Sequence, residues 1–230
     1  MRGTQLDSVM NYPFANAILN FIKFGDGDLL SETVHTVLEN YPKCSVDTLM
    51  NHLGTHDTAR VLTMLGKGDG FIGDRQWQSR QTLSDREYNL GVRRLKAAAV
   101  IQYTLPGVPS LFYGDEAGVQ GYGDPFCRAT YPWGRENADL LEFYRLLGGV
   151  RRGCKAFADG DFYTVLATDN AIAYTRKNAG GRAFISVNRG CEEVNLDLPK
   201  EFTYCKTFFG KAPKNGTVTL GEYEYCIVYE

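Results

Sequence analysis

No stretch of this sequence stays apolar long enough to cross a bilayer. The longest uninterrupted run, residues 97–101, falls far short of the roughly 20 residues a spanning helix needs. The amino-terminal MRGTQLDSVM holds no apolar segment of the kind an export signal carries. Neither sign of charge prevails: 25 Lys and Arg against 27 Asp and Glu leave a net charge of −2, with both signs interspersed. That excludes the basic face of a nucleic-acid binder and the cationic stripe drawn to anionic membranes. The six cysteines, Cys44, Cys127, Cys154, Cys191, Cys205 and Cys226, include no C-x-x-C pair. Reduced thiols are expected, with a Cys205–Cys226 pair open if the fold brings the two together. Internal repeats and low-complexity tracts are missing as well. The expectation is a soluble, cytoplasmic chain with no membrane or nucleic-acid partner, long enough for one or two domains and a sizeable core.

Three ligand motifs also fall short of their patterns. His52 and His56 stand four apart, as in a zinc-binding helix, but Leu53 replaces the glutamate base and Gly54 interrupts the segment. GDGD at 25–28 lacks the further oxygen ligands and closing Glu of a calcium loop, so it reads as a turn. GKGDGFIGD at 66–74 lacks the Gly-Lys-Ser/Thr order of a phosphate-binding loop and reads as a surface loop. No metal site is assigned.

What the chain does hold is a change of period. LDSVMNY (6–12) reads as a short buried strand, followed by a helix with Ile18, Phe21 and Ile22 on one face. A second helix is expected from about Ser31, with Val34, Val37, Leu38 and Tyr41 in phase, stopped by Pro42. Val46, Leu49 and Met50 lead as a strand into NHLGTHDTAR (51–60). Ser84 and Glu87 form a capping box for a long helix ending at Pro106-Gly107, and residues 108–113 follow as a strand. Helices feeding apolar strands with polar loops after them are parallel βαβ logic. A last helix spans roughly 137–152. Beyond 151–158 the period drops to two, with short strands near 162–167, 172–176, 183–188, 194–198, 217–220 and 225–229, joined in part by hairpin turns. The expected organisation is an α/β domain over 1–153 and an antiparallel β-sandwich over 154–230.

Chemistry concentrates at residues 51–60. His56 and Asp57 are adjacent, and neighbours on a strand point to opposite faces, so they share a pocket only where the strand bends or ends. On residue types alone, Thr and Asp in such a loop serve equally well as helix caps. The word LMNHLGTHDTAR resembles a signature of the α-amylase superfamily of glycoside hydrolases, in particular its neopullulanase and cyclomaltodextrinase branch. GVPSLFYGDE (107–116) and GDPFCR…PW (123–133) have counterparts in the same family.

That resemblance implies strands six to eight of a (β/α)8 barrel with their helices, followed by the family's carboxy-terminal β-domain. Asn51, then His56 and Asp57, would end the seventh strand. Asp57 would be the carboxylate that favours the distorted, cationic transition state, and His56 a neighbouring sugar-binding imidazole. Asp124 and Arg128 would hold a glucose two subsites from the cut bond, although spacing alone favours a structural i, i+4 ion pair. Asp115 and Glu116 look structural. Tyr131 and Trp133 suit either stacking on sugars or packing, and packing is expected for Trp133. The implied substrate is an α-glucan or maltooligosaccharide. No cofactor is implied, and the calcium that relatives bind finds no ligand set here.

The family's nucleophilic Asp, in an R-x-D word, and its general-acid Glu belong to strands four and five, which would precede residue 1. The chain is therefore expected to be catalytically incomplete, and to pair with a missing amino-terminal half or self-associate. A non-enzymatic carbohydrate-binding remnant and part of an α-glucan transglycosylase stay open as alternatives.

Overall fold

The computed structural model describes residues 6–68 and 73–230. Residues 69–72 of the glycine-rich loop lie outside that range.

Helix α1 (Tyr12–Phe24) begins where Asn11 accepts a hydrogen bond from the Phe14 N–H, with Pro13 in its first turn. Phe14, Ile18, Phe21 and Ile22 are fully buried along its inner face. Gly25 ends it with φ +100°, and Asp26 then caps α2 (Gly27–Asn40) through the Leu29 N–H at 2.9 Å. That cap starts α2 four residues before the Ser31 expected from periodicity. Gly27 also donates to the Thr168 carbonyl at 3.1 Å, where a Cβ would lie 2.4 Å from that oxygen, so only glycine fits.

The strand segments are shorter than their sequences suggest. Val46 belongs to a helical turn, α3 (Lys43–Val46), and β1 is Met50–Asn51 alone. It pairs in parallel with β2 (Val108–Pro109) on one side and with Met10, by a single bridge, on the other. Residues 6–12 are thus not a buried strand: Leu6, Val9 and Met10 are exposed. Residues 110–113 continue from β2 without ladder partners among the described residues.

Helices α4 (Val61–Gly66) and α5 (Arg75–Gln78) lead to α6 (Asp85–Thr104), whose first turn carries the expected Ser84–Glu87 capping box. From residue 97 to 104 every α6 side chain is buried, so that half of the helix is covered on all sides rather than on one face. The helix α7 (Ala138–Gly153) follows, capped by Asn137. No helix among the described residues is long and apolar enough to cross a membrane.

After α8 (Ala156–Asp159) come β3 (Asp161–Ala167), β4 (Ala171–Asn178), β5 (Gly181–Asn188), β6 (Val194–Asp197), β7 (Phe208–Gly210), β8 (Thr217–Leu220) and β9 (Tyr225–Tyr229). They form an antiparallel five-stranded sheet in the order β3-β4-β5-β9-β7, together with a β6-β8 pair. Ala173, Phe184 and Val228 from the larger sheet pack against Val218 and Leu220. The alternate residues, Ile172, Tyr174, Ile185 and Ile227, join the helical residues in one continuous apolar cluster. All six cysteines are free: Cys226 is buried, while the Cys205 Sγ lies 3.2 Å from the Glu230 carboxylate. The pairing left open in the sequence is not formed.

Candidate active site

Two loops build the site, one after β1 and one after β2. In the first, Thr55 is buried and its Oγ1 accepts the Asp57 N–H at 3.2 Å. The chain turns at His56 and Asp57, and this turn, not strand alternation, sets both side chains on one side. The His56 Nε2 lies 3.2 Å from the Asp57 Oδ1, with both side chains about 60% exposed.

The second loop folds back over the first. A 3-10 turn at Phe126–Arg128 brings Arg128 above residues 56 and 57. Its Nε donates to the Asp124 carboxylate at 2.7 Å and to the His56 carbonyl at 3.2 Å, while its Nη2 stands 3.6 Å from the Asp57 carboxylate. The buried Cys127 adds its Sγ 3.2 Å from the same carbonyl. One guanidinium therefore links two half-exposed carboxylates and an imidazole-bearing turn. Exposed ion pairs of this kind contribute at most about 1 kcal/mol. Other hydrogen-bonding groups can accordingly exchange for them at little cost.

Beneath the loops lies Arg60, fully buried. Its backbone N–H donates to the Gly121 carbonyl at 2.9 Å, and the Gly121 N–H returns to Thr63 Oγ1 at 2.8 Å. Its Nη1 donates to the Tyr113 carbonyl and lies 3.4 Å from the Asp115 carboxylate. The guanidinium sits over the rings of Phe112 and Tyr113, with centroids 4.1 and 4.6 Å away. Burial pushes the Asp115 carboxyl up to about 7, against the pull of Arg60. Gly54 is needed beside it, because a Cβ there would lie 2.7 Å from the Asp115 Oδ2. Glu116 accepts the Gly114 N–H at 2.9 Å.

Residues 1–142 match the family described as alpha amylase, catalytic domain. The chain belongs to the alpha-amylase family. Among curated relatives it is 35% identical over 222 residues to an amylopullulanase of Thermoanaerobacter thermohydrosulfuricus, covering 86% of this chain and 14% of that protein. It is 32% identical over 206 residues to a cyclomaltodextrinase of Geobacillus thermopakistaniensis, covering 86% of this chain and 31% of that protein. A solved structure of the cyclic alpha-maltosyl-(1→6)-maltose hydrolase of Arthrobacter globiformis, in complex with that cyclic sugar, superposes with a TM-score of 0.78 at 26% identity. The superposition covers 100% of this chain and 46% of that one, so the chain spans less than half of each protein it matches here.

Within this chain of the alpha-amylase family, Asn51 is not joined to the other four candidates. It is buried, its Oδ1 accepting from Asn11 at 2.9 Å and its Nδ2 donating to the Pro106 carbonyl at 2.7 Å. Gln102 reaches the Asn51 carbonyl at 2.9 Å. His52 is buried edge-on against Tyr12, with ring centroids 4.6 Å apart, and neither ring nitrogen has a hydrogen-bond partner among the described residues. Segment 52–56 is not helical, so the two imidazoles do not share a helix face. No group of three or more metal-ligating side chains converges among the described residues.

Trp133 reverses its expectation. It is 81% exposed and rests on Tyr131, with ring centroids 4.5 Å apart, rather than packing into the core. Arg60 and Cys127 received no role from the sequence. The available signal for Arg60 was a cation standing immediately before the apolar run Val61–Leu62, where burial demands a carboxylate partner.

Proposed function

We propose that this chain supplies strands six to eight, and the following β-domain, of a retaining α-glucan hydrolase. In that reading the parallel segments at Met10, β1 and β2 are neighbouring barrel strands, and the two loops lie at their carboxyl ends, where (β/α)8 enzymes assemble their sites. The observation carrying it is the convergence of Asp57, His56, Asp124 and Arg128 on one accessible patch. The curated relatives, an amylopullulanase and a cyclomaltodextrinase, agree with an α-glucan substrate.

Glycoside cleavage with retention passes through an oxocarbenium-like state, flanked by a nucleophile and a protonated acid roughly 5 Å apart. Asp57 fits neither role by itself. Its exposed carboxylate stabilises positive charge on the sugar ring and holds its hydroxyls, with His56 alongside. Asp124 and Arg128 orient a further glucose, and Asn51 serves at one remove by fixing the strand ends. Asp115 is committed to Arg60 and Glu116 to the Gly114 N–H, so neither is free to attack. Nucleophile and acid come from outside this sequence, and the 230 residues alone do not cleave starch, pullulan or cyclodextrins.

The test is reconstitution. Joining the amino-terminal half of the related cyclomaltodextrinase, by fusion or co-expression, is expected to restore hydrolysis. Asp57→Asn should then abolish turnover chiefly through kcat. Arg128→Ala should raise KM for short maltooligosaccharides by about tenfold, the effect of one lost charged hydrogen bond. Turnover by the isolated chain at ordinary enzyme rates, unchanged by Asp57→Asn, would refute the mechanism.

A further inference from the structure

Trp133 is a large apolar side chain from which folding gains little. It is 81% exposed, one ring face meets Tyr131, and its indole N–H donates to no group among the described residues. Its placement is nonetheless fixed. The Trp133 N–H donates to the Tyr131 carbonyl at 3.0 Å, and the Arg135 N–H to the Pro132 carbonyl at 2.8 Å, so the ring stands on a tight turn. The Tyr113 hydroxyl, at the end of the segment leaving β2, donates to the Ala129 carbonyl at 2.8 Å. These ties anchor residues 129–135 to the end of the segment leaving β2. The same loop carries Asp124 and Arg128.

A rigid, exposed indole on an aromatic neighbour has the form of a stacking platform. Each glucose ring presents an apolar C–H face and a rim of hydroxyls, so an indole can cover the face while its N–H donates to the rim. We propose that Trp133, supported by Tyr131, binds a glucose unit of an α-glucan beyond the one that Asp124 and Arg128 hold, and so sets a preference for longer chains. This rests on reading Asp124 and Arg128 as a sugar-binding pair. Pre-fixing the ring lowers the ordering cost of binding, which is why the anchoring bonds matter as much as the exposure.

The chain has only two tryptophans, and Trp77 lies half-buried, edge-on to Tyr122. A Trp77→Phe chain therefore reports Trp133 fluorescence alone. Maltotriose, maltoheptaose and cellohexaose are titrated against it, with calorimetry on the parent, Trp133→Ala and Arg128→Ala. Maltoheptaose should shift the Trp133 emission while cellohexaose does not. Trp133→Ala should weaken maltoheptaose by about tenfold, to the level of maltotriose, and leave maltotriose unchanged. Arg128→Ala should weaken both. If Trp133→Ala binds maltoheptaose like the parent while Arg128→Ala does not, the platform is refuted and the Arg128 reading stands. If no variant binds any maltooligosaccharide, both fall. Conversion of a self-associated chain to monomer by Trp133→Ala, with glucan affinity unchanged, would make Trp133 a protein contact and also overturn the proposal.

Discussion

At Arg60 a cation lies out of water with one carboxylate, one carbonyl and two ring faces around it, and its Nε and Nη2 find no hydrogen-bond acceptor among the described residues. Removing one partner of a buried pair leaves the other uncompensated, which costs about 3 kcal/mol or more. Arg60→Met should destabilise the fold by that order in urea unfolding, and more at pH 8 than at pH 6, because a protonated Asp115 tolerates burial. A loss below about 1 kcal/mol at pH 8 would mean the pair is not structural. Two buried groups give opposite pH trends. The Asp115 carboxyl, raised to about 7 from 3.8, binds its proton more tightly when folded, so its contribution falls as pH rises across that window. Burial lowers His52 from 6.5, so the unfolded chain binds the extra proton and stability falls as pH drops below 6.5. His52→Phe should therefore lose less stability than the parent between pH 7.5 and 5.5. Equal losses in the two proteins would show that His52 does not titrate on unfolding.

Among the elements, α6 is closed at both ends by side chains. Ser84 and Glu87 take its first donors. At the other end Arg151 donates to the Tyr103 carbonyl at 2.6 Å and Arg176 to the Thr104 carbonyl at 2.7 Å, satisfying acceptors no residue of the helix can reach. Burial lowers Arg176 to about 10, which still leaves it charged at neutral pH. Ser84→Ala should cost about 1 kcal/mol, read as a lower urea midpoint at unchanged slope. No change would place the cap outside the cooperative unit. Helices of this kind were legible because cap, period and stop are all local. The strands after the parallel crossovers were not: a ladder needs neighbours, and β1 has only β2 and the Met10 bridge. The three-residue β7 is not legible in the sequence, because so short a segment carries no period.

For the whole molecule, the consequence is an exposed apolar edge. Val9, Met10, Met50, Val108 and Leu111 lie along the three parallel segments and all face solvent. Unpaired strand edges and contiguous apolar surface favour association. The isolated chain should sediment as a self-associated species, or be captured by an amino-terminal half supplied in trans. A monodisperse monomer with a sharp cooperative melt would contradict this. The sequence's change of period after residue 151 marks the passage from helix to antiparallel strand, yet the apolar cluster runs through it without a break, from Phe14 to Ile227.

The sequence by itself determined the order of the four long helices, most of the antiparallel half and the candidate loops, because periodicity, caps and the words around His56 and Arg128 are local properties of the chain. Tertiary structure alone decided the rest. It turned His56 and Asp57 to one side, set Arg128 between two carboxylates, committed Asn51 to the strand ends and left Trp133 in solvent. Those outcomes depend on which loop crosses which. Residues 56 and 128 meet where Arg60 ties both loops from below, and no spacing along the chain encodes a contact between segments that far apart.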